Sequence, residues 1–319
     1  MAATTDRLAS SYRALTERAG VLDRSELGKL ALTGTQAAEL LNGQVSNDVE
    51  ALAPGTGCYA TLLTNKGKML GDLRVLATGD ELLLICERAA LQALFDQIRR
   101  GAIGWDAELH KRTLQLGLLS VIGPSARAVV PGADALPAEE HSSAQGEIGG
   151  ARALLVVTDV GVDVVCAAEH TARVRDVLLA TGTVAVDEAA AEIVRVESGR
   201  PRYGIDVDDT TIPQEAGLNG RAVSFTKGCY VGQETVARLH WRGKPNRHLR
   251  GLRLPEPVER GAPLRLGDRE VGRVGTVAVS PRFGIIALAI VRREAGPGDT
   301  LAVGDDGAVT AQVVDVPFA

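Results

Sequence analysis

The sequence predicts an α+β protein with antiparallel sheets and a C-terminal β-barrel. Three observations predict it. Strand-like runs joined by hairpin turn signals are followed by one packed helix, and this order occurs twice before residue 186. The helix after the first set has a clear 3.6 period. From residue 247 onward, strand-like runs alternate with Gly, Asp and Pro turns and no helical period returns. The 319 residues are 45% hydrophobic and 24% charged, enough to bury a core and unlike a disordered chain. Aromatics are only 3%, so Val, Leu, Ile and Ala must fill that core.

The first 20 residues read as a loosely attached, partly helical lead-in. Residues 28–33 form a strand. Thr35 caps a short helix through Leu41, and Gly43 stops it. Residues 58–64 are apolar and β-rich, Asn65-Lys66-Gly67 turns, and 68–77 return as a second strand. Gly79-Asp80 makes another turn before a strand at 81–86. Residues 88–100 form an amphipathic helix, with Leu91, Leu94, Phe95 and Ile98 at i, i+3, i+4 and i+7. A strand at 114–122 begins the second set. Pro124 opens a short helix, and 131–150 reads as a surface loop rich in Pro, Ala, Gly and Ser. Strands at 153–158 and 162–167 precede a helix over 171–180. Asp187 caps a helix to Ser198. Residues 199–230 are mostly irregular, which inside a compact domain marks a functional loop. The barrel strands fall at 250–254, 273–279, 284–291 and 308–316.

Lys plus Arg total 35 against 40 Asp plus Glu, and net −5 argues against a nucleic-acid partner. The four cysteines lie far apart, with no CxxC and no Cys/His cluster, so no metal site is expected. No apolar stretch approaches the roughly 20 residues of a membrane span. Charges within the first 20 residues speak against a secretory signal. Reduced thiols in a cytoplasmic protein, without membrane contact, are the expectation. The Walker pattern and GxGxxG are absent, which argues against an NTPase or a Rossmann dehydrogenase.

The densest signal is Lys227-Gly228-Cys229-Tyr230-Val231-Gly232-Gln233-Glu234, leading into a helix over 235–241. Glycines let backbone approach a ligand, and a helix start favours anions. Residues 221–253 hold eight basic residues against one acidic, either a solvated basic face or an anion site. Cys229, near that helix start and two residues from Lys227, is a candidate reactive thiolate; the alternative is a buried small hydrophobe. A Cys/His pair is disfavoured, because the nearest histidine in sequence, His240, stands roughly 16 Å along a helix. Glu197 falls in the last turn of its helix, where the dipole disfavours an acid, so it is a candidate acceptor for ligand N–H groups; the alternative is a surface carboxylate paired with Arg200. Tyr203 either stacks on a flat ring or packs in the core. Asp206, Asp208 and Asp209 lack EF-hand spacing and read as turn formers. Asp72 interrupts an apolar strand pattern, so it must pair, with Arg74, or face a ligand.

The run Phe225 to Glu234, with Ala237-Arg238 after it, resembles the signature of the YgfZ-type folate-binding proteins. The match extends to Gln44-Val45-Ser46-Asn47-Asp48-Val49, to Leu63-Thr64-Asn65-Lys66-Gly67-Lys68, to Glu197 through Gly204, and to Pro213-Gln214-Glu215. That family is similar in fold to the T-protein of the glycine cleavage system, an aminomethyltransferase that uses tetrahydrofolate. The resemblance implies three lobes around a folate and a C-terminal barrel. The lobes would be residues 21–110 with 187–245 as the folate-binding core, 111–186 as a second α+β lobe and 246–319 as the barrel, after a lead-in at 1–20. It implies that Lys227, Cys229 and Tyr230 form the functional motif, that Glu197 and Tyr203 line the pterin end, and that Arg238 meets the folate carboxylates. Asp72 is the nearest counterpart of the T-protein's catalytic acid. Here the sequence departs from paired Gly then paired Asp, reading Lys68-Met69-Leu70-Gly71-Asp72. The implied role is a tetrahydrofolate-binding accessory protein rather than a conventional enzyme, supporting iron–sulfur cluster assembly or repair, including in tRNA-modifying enzymes. Its partners would be the iron–sulfur proteins or assembly factors. The alternative is a folate-dependent aminomethyl or methyl transferase using Asp72.

Overall fold

Runs of Val, Leu and Ile flanked by turn residues become strands in the computed structural model, which describes residues 2–305 and 307–319. The chain divides into two units. The first takes residues up to Leu63, Leu70–Ala191 and Ala222–Val231; the second takes Thr64–Met69, Glu192–Arg221 and Gly232–Ala319.

The first unit holds two sheets. One orders its strands Gly57–Leu63, Met69–Ala77, Leu82–Cys86, Gly28–Thr33, Glu108–Lys111. The other runs Val184–Ala185, Gly20–Asp23, Leu116–Ile122, Gly161–Ala167, Ala151–Thr158, Ser143–Ile148. Its one parallel pairing, Gly20–Asp23 with Val184–Ala185, is two residues long. Leu76, Leu83 and Ile85 of the first sheet meet Leu118, Leu154, Val156 and Val165 of the second in one buried cluster. Within that apolar layer Arg74 pairs with Asp163 at 2.6 Å, and the Ser120 hydroxyl donates to the other carboxylate oxygen at 2.6 Å. Each polar group there has a partner, as burial requires.

The helix Leu91–Gly101 buries Leu94 and Ile98, as its period predicts. It lies on the strand that carries Asp72: a Cβ at Gly71 would stand 2.5 Å from Leu94 Cδ1 and 2.6 Å from Ala90 Cβ. Three local expectations need correction. The lead-in is a helix, Ala2–Glu17, whose Tyr12, Ala14 and Leu15 are buried, so it is packed rather than loose. Thr35 does not cap; it bonds Asp106, and the helix runs Ala37–Gln44 straight through Gly43. Within 131–150, Ala133 and Leu136 join the core and Ser143–Ile148 is a strand.

In the second unit, six strands close a barrel in the order Arg247–Leu254, Gly284–Arg292, Arg269–Ser280, Pro263–Leu266, Thr300–Val303, Val309–Val314. Leu252, Leu264, Val274, Ala287, Leu301 and Val313 fill it. The irregular segment after the helix Glu188–Glu197 is tied down by Arg195. That guanidinium bonds both oxygens of Glu192 at 2.8 Å, Asp206 at 2.8 Å, Thr276 at 2.7 Å and the Arg200 carbonyl. Asp206 is therefore a buried ion-pair partner, whereas Asp208 does form a turn, accepting from Thr210. Among the described residues, no helix is long and apolar enough to cross a membrane.

Candidate functional site

Lys227 sits in the first unit beside the C-terminal end of the helix Ala37–Gln44. Its ammonium donates to the carbonyls of Asn42, Val45 and Asn47 at 2.5, 2.9 and 2.9 Å. An ammonium has three donors, and here all three are used on backbone. Its charge faces a helix C-terminus, where a cation is favoured. Burial pushes this lysine down to about 8, against the raising influence of Asp48, Cys58 and Glu50. The buried Tyr230 ring lies 5.1 Å from the same nitrogen, a cation–π contact, and burial lifts its phenol to about 12. Between the two, Cys229 is exposed. The other three thiols are half-buried or buried, and burial raises Cys58 and Cys86 to about 12.

A chain of bonds leads from Lys227 to Asp72. The Asn47 carbonyl that accepts from Lys227 belongs to a residue whose side-chain amide donates to the Tyr59 carbonyl at 2.8 Å. The Tyr59 hydroxyl in turn donates to Asp72 Oδ2 at 2.6 Å. Asp72 is only 5% exposed. Burial holds its carboxyl above the usual carboxylate range, and the Tyr59 bond only partly offsets this. Arg74 is not its partner, contrary to one of the two sequence expectations, because Arg74 is engaged by Asp163. Tyr59 was not foreseen: in the sequence it is one aromatic in a β-rich run, with nothing local to set it opposite an acid thirteen residues on.

Three candidates lie in the second unit. One oxygen of Glu197 accepts from the Ser280 hydroxyl at 2.5 Å, and that hydroxyl oxygen accepts the N–H groups of Arg282 and Phe283 at 3.0 and 2.9 Å. The carboxylate is thereby set by a barrel turn, while its own carbonyl receives the Phe318 N–H at 2.9 Å. Tyr203 is half-buried and forms an isolated bridge with Val207. Arg238 is exposed on the helix Gln233–Arg242.

Two family profiles match this chain: the GCVT N-terminal domain over residues 2–227 and the glycine cleavage T-protein C-terminal barrel domain over 247–319. The chain belongs to the glycine cleavage T-protein family. Among T-protein relatives, an aminomethyltransferase from Streptomyces coelicolor is 30% identical over 96% of this chain and 87% of its own. One from Geobacillus kaustophilus is 29% identical over 96% and 89%. The solved glycine cleavage system aminomethyltransferase T from Bartonella henselae superposes with a TM-score of 0.86 at 23% identity, covering 98% of this chain and 89% of that one. The T-protein fold, with antiparallel sheets and a closed barrel, is therefore that of this protein. In this chain Tyr59, Asn47 and Lys227 form a bonded series that the sequence alone did not connect.

Proposed function

We propose that this protein binds tetrahydrofolate and carries out folate-dependent one-carbon transfer, with Asp72 as the carboxylate that faces the donor amine. The observation that carries the reading is a buried acid with a raised proton affinity, held by the neutral Tyr59 hydroxyl and its own backbone N–H, in a chain whose relatives are named aminomethyltransferases. Such a carboxyl accepts a proton from an amine more readily than an ordinary one, and it is oriented before the substrate arrives. Glu197, with one oxygen fixed by Ser280, offers its carboxylate to the N–H edge of a pterin. Tyr203 supplies a ring to stack, and Arg238 an exposed cation for glutamyl carboxylates. These residue types fit a folate: an acceptor, a flat face and a cation. The folate supplies the carrier nitrogens for the one-carbon unit. Turnover of an aminomethyl donor with tetrahydrofolate is expected, with Asp72→Asn reduced at least about 100-fold and Glu197→Ala binding folate more weakly. Equal turnover by Asp72→Asn removes the assignment.

A second reading rests on Cys229, the exposed thiol among the four, set between an anchored lysine and a buried tyrosine. In it the chain is a YgfZ-type accessory protein, using folate while Cys229 acts as a reactive thiolate or transient ligand during iron–sulfur enzyme maturation. One thiol cannot hold a cluster alone, so a client or assembly factor must share the step. Cys229→Ala that supports full maturation of a cluster enzyme, including a tRNA-modifying one, overturns this reading.

A further inference from the structure

A cavity of about 570 Å³ opens in the second unit, lined by residues of barrel strands Arg269–Ser280 and Gly284–Arg292 and of the loop that carries Asp208. None of Asp72, Lys227, Cys229, Glu197, Tyr203 or Arg238 lines it. Its volume falls in the range of small-molecule sites.

The charges on its wall divide unevenly. Each carboxylate there is already engaged: Asp206 by Arg195 and by the Arg202 and Thr276 N–H groups, Asp208 by Thr210, and Glu270 by Arg273 at 2.9 Å. Arg247 is likewise held by Glu215 at 2.8 Å. The side chains of two further arginines on the lining, Arg260 and Arg292, make no ion pair or hydrogen bond among the described residues. The wall's acids thus already hold donors of their own, while the exposed guanidiniums of Arg260 and Arg292 line the same hollow without a counter-ion among the described residues. Gly272 and Ile290 also line the hollow; a Cβ at Gly272 would stand 2.5 Å from the Ile290 carbonyl oxygen, so glycine there lets the two strands approach closely.

We propose that this cavity is a binding site for a small molecule carrying two oxyanion groups, one for each of Arg260 and Arg292. Guanidiniums bind carboxylate and phosphate oxygens through paired N–H donors. A lone ion would leave most of the space empty, so the ligand has a body between its charged ends. Phosphates and a chain of carboxylates share this chemistry. The site is independent of the folate reading, and neither depends on the other.

Pyrophosphate and triglutamate, titrated separately into the full chain by calorimetry at fixed ionic strength, separate the two sources. At least one is expected to bind saturably. Arg260→Gln and Arg292→Gln are each expected to weaken it about tenfold. Arg269→Gln, whose guanidinium already pairs with Glu294 off the lining, is expected to leave it unchanged. The Gly272 amide resonance should move with the same midpoint. Saturable binding lost in either rim variant but not in Arg269→Gln supports the site. No binding of either probe, or equal weakening by all three variants, overturns it, since the latter would mean diffuse surface charge.

Discussion

Asp72 shows how a functional group is kept at a cost to the fold. Its carboxyl is raised because burial opposes charge more than the Tyr59 hydroxyl relieves it. Over the window from the ordinary carboxylate value up to the raised one, the native state binds more protons than the unfolded chain. Asp72 therefore subtracts stability as pH rises through that window. Asparagine keeps an oxygen for Tyr59 and carries no charge. Asp72→Asn should then melt no lower than the parent at pH 5 and higher at pH 8, while one-carbon transfer is lost; melting at both pH values beside a turnover assay checks this. Tyr59→Phe acts the other way. It removes the donor, pushes the carboxyl further up, and should displace the acid limb of the pH–rate profile toward higher pH. Lys227 is a different case, since its charge is needed by three carbonyls. Lys227→Met keeps the stem but orphans those acceptors, a loss of about 2 kcal/mol. Lys227→Arg should not restore it, because a planar fork cannot address three converging oxygens. Urea midpoints for both variants decide the point.

At the scale of elements, the legible features were those whose signal is local. The helix Leu91–Gly101 has its period in its own sequence, and the strands Gly28–Thr33 and Met69–Ala77 are bounded by their own turns. What escaped depended on partners. Thr35 has a cap residue's side chain, yet Asp106, seventy-one residues on, takes its hydroxyl. The strands Pro263–Leu266 and Thr300–Val303 are four residues each, too short for alternation to show, and exist because barrel neighbours complete their ladders. The signature from Lys227 to Tyr230 was visible as a motif, but not the division of labour inside it. That division needs the carbonyls of Asn42, Val45 and Asn47, which lie 180 to 185 positions away. Gly71 explains the departure from paired aspartates. A Cβ there already collides with the helix above, so Gly71→Asp, which would restore the paired aspartates alone, would force a charge beneath Leu94 and Ala90. We expect it to destabilise by at least about 3 kcal/mol, from overpacking and an unpaired buried charge together, measured as a shift in urea midpoint.

For the molecule as a whole, the irregular stretch after Glu197 is the part with least regular structure, and one buried cation, Arg195, ties its start to the helix before it and to the barrel. Burial alone would lower the Arg195 guanidinium; the bonds to Glu192 and the charge of Asp206 outweigh it and raise it instead. Removing such a cation leaves buried Asp206 with N–H donors but without its ion-pair partner, while Glu192 keeps Arg202. Arg195→Met should therefore lose about 3–5 kcal/mol. Ligand linkage gives a separate reading of the folded state. A ligand that binds only the native chain at 100 times its Kd adds about 2.7 kcal/mol, which for a protein of this size is several degrees in Tm. Tetrahydrofolate should produce that shift in the parent chain and a smaller one in Glu197→Ala. Arg260→Gln and Arg292→Gln should retain the full folate shift, because their cavity is lined by none of the folate candidates. A folate shift that falls equally in Glu197→Ala and in the two arginine variants would mean the ligand is held by general charge rather than by the fixed carboxylate.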